Sequence, residues 1–215
     1  MERKPKYFRS LFDSWLFPKI YDAWVFCASF GNPRKLRGNI IEWIPKNARA
    51  LVDLATGTGE NAFAMRDTFP EAVIHASDLS ERMLSVAKTK ARTLNARIEF
   101  SLQDATRATY PSAFADFAAI SFAIHDLPHA QRIQVMKEAY RILKPGGRFA
   151  IYEYHMPKNP IFRVPLFIQF FLVENKDAYG IFAEDLQNEL AEIGFKNISK
   201  KTYYKGLAQI VAGDK

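Results

Sequence analysis

The sequence predicts an α/β fold: a largely parallel sheet with helices on both faces. Three observations carry that expectation. From residue 50 onward, short apolar runs alternate with amphipathic stretches at the spacing of repeated strand–helix units. The glycine-bearing stretch VDLATGTGEN, residues 52–61, sits where the first such strand gives way to the first helix. At 215 residues, 48% hydrophobic and 25% charged, the chain has globular composition and enough length for one substantial core.

The elements follow in order. Residues 5–44 read as helices, because Phe8, Leu11, Phe12 and Trp15 fall at i, i+3, i+4 and i+7, as do Tyr21, Trp24, Val25 and Ala28. Pro18 and the Gly31-Asn32-Pro33 run punctuate them. ALVDLA (50–55) reads as a short buried strand and ENAFAMRDTF (60–69) as a helix. AVIHAS (72–77) is the next strand, followed by a helix that opens on Ser80 as N-cap. RIEFSL (97–102) and FAAISFA (117–123) are further strands. The helix AQRIQVMKEAYRILK (130–144) runs into a Pro-Gly-Gly turn and the strand RFAIYEY (148–154). After an aromatic, proline-bearing segment at 155–180, AEDLQNELAEIGF is a helix with Gly194 as its C-cap. KNISKKTYY and LAQIVAG close the chain as a hairpin around Gly206. The expected organisation is one domain: an N-terminal helical lid at 1–48, a core at 49–154, an insert at 155–183, and a C-terminal helix and hairpin at 184–215.

Charge and cysteine content narrow the setting. Cys27 is the only cysteine, so no internal disulfide framework can form and a reducing, cytoplasmic compartment is expected. The basic N-terminus is followed by no apolar signal core, and IFRVPLFIQFFLV (161–173) is too short and too interrupted for a membrane span. The net charge of +7 concentrates in residues 1–50, where ten Lys or Arg face four Asp or Glu. That basic, aromatic section is compatible with an anionic lipid surface or an acidic partner, and equally with a solvated face.

Gly57, Gly59 and Ala62 satisfy the dinucleotide fingerprint, and Asp78 closes the second strand at the spacing of a ribose-binding carboxylate. A tight turn without a ligand, a nicotinamide site and an adenosyl site all remain open on those residues alone. Asp53, inside the first strand's end, would repel a pyrophosphate but suit a ligand bearing an ammonium and a sulfonium. Asp104 follows the third strand, where an acceptor could take an adenine's amino hydrogens.

Taken together, VDLATGTGE, ASDLSERML, LQDAT and RILKPGGRFAIYE resemble the motifs of class I S-adenosylmethionine-dependent methyltransferases. The DLATGTG wording is similar to the branch holding ubiquinone/menaquinone-biosynthesis C-methyltransferases and related small-molecule and lipid enzymes. The resemblance implies a Rossmann-like class I fold, with a mostly parallel seven-stranded sheet and a C-terminal antiparallel hairpin. It implies S-adenosyl-L-methionine as cofactor. Asp53, Ala55, Gly57, Thr58 and Gly59 would surround the methionine part, with Ala55 standing where a glycine is often first. Asp78 would bind the ribose hydroxyls, Leu79 and Met83 would flank the adenine, and Asp104 with Ala105 would receive its amino edge. Ser121 and the lid residue Tyr21 complete the implied set; core packing is the alternative for Leu79, Met83 and Ala105, and an ordinary interface aromatic the alternative for Tyr21.

Methyl transfer from a sulfonium needs alignment more than acid catalysis, so a base matters only if the acceptor must lose a proton. In SFAIHDLPH, after the fourth strand, His125 is the candidate that orients or deprotonates the acceptor, against a histidine merely satisfied by backbone. Asp126 fits an N-cap as well as an acid, His129 is expected to be exposed, and His75 to lie in the core. No further ligand completes a metal site around His125, Asp126 and His129, so no metal is expected. The Asn/Asp-Pro-Pro-Tyr signature of nucleic-acid amino methyltransferases is absent, which disfavours nucleic acid. The greasy lid segments, with Phe8, Phe12, Trp15 and Trp24 in one and Phe162, Phe167, Phe170 and Phe171 in the other, point to an apolar or amphipathic small-molecule acceptor. Such an acceptor is a quinone precursor or a lipid head group. With Lys4, Lys6, Arg9 and Lys19 nearby, the same lid could rest peripherally on the inner membrane surface, pack on the domain or form a dimer contact. A soluble-metabolite methyltransferase and a non-catalytic cofactor-binding regulatory subunit are the alternatives.

Overall fold

The computed structural model describes residues 38–164, 180–182 and 185–215. Seven strands form one sheet in the order β3-β2-β1-β4-β5-β7-β6. They are β1 (Ala50–Leu54), β2 (Val73–Asp78), β3 (Glu99–Leu102), β4 (Ala115–Ser121), β5 (Leu143–Tyr154), β6 (Lys196–Tyr203) and β7 (Ala208–Asp214). The pairs β1–β2, β2–β3, β1–β4 and β4–β5 are parallel, whereas β7 runs antiparallel to both β5 and β6. The expected mixed sheet with its C-terminal hairpin is thus the observed one.

Alternation along the strands makes two cores. Val52, Leu54, Ala118, Ile120, Phe149, Ile151 and Val211 face one side, where α3 (His129–Ile142) and α4 (Leu186–Ile193) cover them with Val135, Met136, Leu186 and Leu190. Leu51, Phe117, Ala119, Ala150, Tyr152 and Ile210 face the other, under Ala62 and Met65 of α1 (Glu60–Thr68) and Ile40 of the 3-10 segment Gly38–Trp43. Period-two burial on both faces is what a covered parallel sheet requires. That 3-10 segment is held to the sheet by Asn39, whose Nδ2 donates to the Tyr152 hydroxyl at 2.9 Å.

Local signals are realised with few changes. Ser80 Oγ accepts the Met83 N–H at 3.2 Å and opens α2 (Glu81–Thr93). Gly194 ends α4 at φ +113°, the left-handed position that glycine takes without penalty. Two expectations shift. The helix predicted to 144 stops at Ile142, and the Pro-Gly-Gly turn lies inside the start of β5. Gly146 takes φ +77° there, opposite a register shift in β4, and bonds Lys215 at the end of the chain. His75 is half-buried rather than in the core, paired with Glu99 at 3.0 Å. Of the helices expected over 5–44, residues 5–37 lie outside the described residues, as do most of the 155–183 insert's aromatics, and Gly38–Trp43 form a 3-10 segment.

Candidate functional site

The sequence of strands reverses direction between β1 and β4, and ligands of open α/β sheets bind outside the carboxyl ends of the strands at such a point. Two non-glycine residues at that edge take left-handed backbone. Ala55, leaving β1, has φ +52°, and Phe122, leaving β4, has φ +49°. A non-glycine residue costs about 1–2 kcal/mol in this region, and such strain concentrates at functional sites. The geometry also explains why related turns favour glycine where this chain has Ala55.

Behind the turn lies a buried polar network. Asp53 is fully buried and accepts hydrogen bonds from Thr56 Oγ1 and, at 3.4 Å, from Asn61 Nδ2. Asn61 Nδ2 also donates to Ser121 Oγ at 2.6 Å, so one amide joins the ends of β1 and β4. The described bonds of Asp53 therefore hold the turn itself. Thr58 is buried as well.

Asp78 connects the turn to the second strand. Its Oδ2 accepts the Gly57 N–H at 2.7 Å and its Oδ1 the Ser80 N–H at 2.8 Å. A half-buried carboxylate at this strand end is the type of acceptor that the hydroxyls of a ribose would need. Asp104 Oδ1 caps the 3-10 turn Ala105–Arg107 through the Thr106 N–H and hydroxyl. An adenine amino group would accordingly have to meet Oδ2, which lies 3.6 Å from Arg107 Nε. Met83 is buried, whereas Leu79 and Ala105 are half-buried beside these carboxylates. Tyr21 lies outside the described residues.

These residues fit an adenosyl cofactor. A Cβ added at Gly57 would meet nothing within 4 Å, which leaves open space against the turn's backbone. A Cβ at Gly59 would fall 3.0 Å from Phe63 and 3.2 Å from Ala87, so that glycine serves the close packing of α1 against α2. Nearby, Asn61 Oδ1 is buried without a hydrogen-bond partner. Beneath β2 and β3, burial pushes the Tyr110 phenol up, opposed by hydrogen bonds from Ser101 and Ser77 and reinforced by Asp53 and Glu99.

A second polar group closes the ends of β4 and β5. His125, in the 3-10 turn Ile124–Asp126, is 3% exposed, with Nδ1 2.9 Å from Glu153 Oε1 and Nε2 3.7 Å from Asp126 Oδ2. The ring stands edge-on to Tyr154 at 5.0 Å. Glu153 is fully buried and continues the Phe149–Ile151 face of β5. Sequence reasoning left Glu153 without a role; its signal was a charge closing an otherwise apolar strand. Asn61 was missed too, because one polar residue in the first turn of a helix is unremarkable. Asp126 does not cap α3: Pro128 occupies the N-cap. His129 is exposed as expected and lies 3.2 Å from Glu189.

The model of the ubiE/COQ5 methyltransferase family matches residues 1–189. The chain belongs to that family. This methyltransferase is 30% identical to a ubiquinone/menaquinone biosynthesis C-methyltransferase of Rickettsia akari, over 91% of this chain and 88% of that one. It is 31% identical to a mitochondrial 2-methoxy-6-polyprenyl-1,4-benzoquinol methylase of Caenorhabditis elegans, over 80% of this chain and 67% of that one. Among solved structures, a SAM-dependent methyltransferase of Thermotoga maritima superposes with a TM-score of 0.73 at 20% identity, covering 94% and 97% of the two chains. One from Aquifex aeolicus gives 0.61 at 17%, covering 83% and 88%. The chain is an S-adenosylmethionine-dependent methyltransferase with the class I fold.

Proposed function

We propose that this methyltransferase acts on a quinone precursor, a hydroxylated ring bearing an apolar tail, with His125 as the base. The observation that carries the acceptor class is the pair of quinone-biosynthesis relatives, each matched over most of this chain. When bound, S-adenosylmethionine supplies an activated methyl on a sulfonium whose departing thioether is neutral, so no acid is required. The chain's own residues then have two tasks. The β1 turn and Asp78 would hold the cofactor, and His125, just beyond the end of β4, would take the proton of a ring hydroxyl. Loss of that proton makes the ring carbon beside the oxygen nucleophilic, which suits transfer to carbon.

The acceptor's tail gives a reason for the protein to meet a membrane surface. After β5, Ile161 and Val164 are 74% and 58% exposed. Lys205 stands over the Phe162 ring at 4.8 Å, and Lys158 and Lys200 both act on His155. We infer peripheral contact with anionic lipid on the cytoplasmic side, through this patch and the basic N-terminal section. Flotation with anionic liposomes tests it: salt-sensitive association is expected, and none would remove the contact. The function itself is tested with methyl-labelled S-adenosylmethionine and a prenylated quinol lacking one ring methyl. Label on a ring carbon is the expected product. Label confined to water-soluble metabolites would favour the soluble-acceptor alternative.

A further inference from the structure

We propose that Glu153 is the positioning residue of the reaction, holding His125 with its hydrogen on Nδ1 so that Nε2 receives the acceptor's proton. The inference rests on the assignment of His125 as base and extends it to a residue that touches neither cofactor nor acceptor.

Three N–H groups converge on the Glu153 carboxylate. Oε1 lies 2.9 Å from His125 Nδ1 and accepts the Tyr154 N–H at 2.8 Å; Oε2 accepts the backbone N–H of His125 at 3.3 Å. Both oxygens thus already act as acceptors toward backbone. A carboxylate donates nothing, so the hydrogen in the ring contact belongs to Nδ1, and in the neutral ring the lone pair is then on Nε2. The same carboxylate grips the main chain and the ring of one residue, which fixes the imidazole's position as well as its tautomer. Asp126, 3.7 Å from Nε2, stands where the positive charge appears once that nitrogen is protonated.

Stability alone is a weak reason to place a carboxylate there. Glu153 is fully buried at the end of a strand whose other inward residues on that face, Phe149 and Ile151, are apolar. Burying a charge carries a desolvation cost that a pair seldom more than offsets, and an apolar side chain of similar size commonly does as well or better. Across the β5–β7 register, Glu153 faces Gln209, which is also buried and whose Oε1 has no hydrogen-bond partner. Polar side chains therefore gather at this one end of an otherwise apolar layer.

The proton balance is simple. The acceptor's O–H bond breaks and its proton forms an Nε2–H bond, while the electron pair moves through the ring to make the carbon–methyl bond as the sulfonium–methyl bond breaks. The methylated ring carbon then loses its hydrogen as a proton and the oxygen regains one, restoring the aromatic hydroxyl, so that one proton is released overall. After product leaves, the imidazolium returns that proton to water. Glu153 gains and loses none.

Glu153→Gln tests the inference, because the amide keeps the shape but replaces one accepting oxygen by a donor. The turnover number should fall about 10- to 1,000-fold, since a misdirected tautomer is expensive for a histidine base. The acceptor KM and the calorimetric S-adenosylmethionine affinity should stay within about threefold, and the double variant with His125→Asn should be no slower than His125→Asn alone. Independently of activity, nitrogen NMR of wild-type protein at mildly alkaline pH should show His125 protonated on Nδ1, assigned by its absence in His125→Asn. A wild-type Nε2–H tautomer would overturn the proposal even if Glu153→Gln failed to fold. So would unchanged turnover in Glu153→Gln, or a turnover loss that merely tracks lost melting temperature and cofactor affinity. If His125→Asn itself turns over normally, the base assignment fails first, and the two failures are distinguishable.

Discussion

At the carboxyl ends of β1 and β4 the chain leaves the sheet through strained residues, Ala55 and Phe122, and buries Asp53, Asn61, Ser121, His125 and Glu153 behind them. At the amino end of β4 and the neighbouring ends of β5 and β7, ordinary ion pairs tie the sheet together instead. Asp116 Oδ2 accepts the N–H groups of Arg49 and Ala50 while its Oδ1 meets Lys144 Nζ at 2.6 Å. Arg148 holds Asp214 at 2.6 Å across β5 and β7. The same strands therefore carry two kinds of polar group. Those at the lower end fasten the chain at half-exposed positions. Those at the upper end are buried, a desolvation that marks candidate functional positions.

That division can be broken or sharpened by substitution. The largest effect is expected at Gly59, where alanine brings both a forbidden φ of +91° and a clash with Phe63 and Ala87. Gly59→Ala should lose about 2–5 kcal/mol in denaturant unfolding. Gly57→Ala meets only the φ penalty in open space, so it should lose about 1–2 kcal/mol while its Cβ enters the space read as the cofactor's. Equal stability losses at the two glycines would show that the turn's packing has been misread.

Next comes Asp78→Ala. The cofactor should bind roughly 10- to 100-fold more weakly, as expected for losing charge-assisted bonds to two hydroxyls. Calorimetric titration decides it, and unchanged affinity would remove Asp78 from the site. The smallest effect belongs to the lower end. Burial pushes the Asp116 carboxyl up, but hydrogen bonds from Lys144 and from the Arg49 and Ala50 N–H groups, with the Lys144 charge, bring it below 3.8. A carboxyl lowered in the folded state adds stability that is complete above its unfolded value and lost as pH falls through the folded one. Asp116→Asn should accordingly lower the melting temperature at neutral pH by at most about 2–4 °C, and the gap should close below about pH 4. Turnover per folded molecule should not change; a loss would blur the contrast between the two ends.

How much of this was legible in the sequence depends on how local each feature is. The glycine turn, the Ser80 cap and the Gly194 stop are local to one turn or helix end, and Asp78 reaches the turn from the very next strand, 21 residues on; the structure keeps them all. The mixed sheet followed from strand–helix alternation and a closing hairpin. Glu153 and His125 are 28 residues apart and meet only because β4 and β5 pair in parallel register. Asn61 joins Asp53 to Ser121 across 60 residues for the same reason. Asp126 carried a cap signal that Pro128 took over, and no pattern of side chains announced the positive φ of Ala55 or Phe122.

The central claim is that cofactor binding belongs to the β1 turn and proton removal to His125, as separable functions of one sheet end. Calorimetric titration of S-adenosylmethionine into wild type and His125→Asn, with turnover of a prenylated quinol measured on the same samples, tests it most directly. Affinity within about threefold and turnover lowered by about 10²–10⁴ is the predicted result. Affinity and turnover falling together, or turnover unchanged, would contradict it.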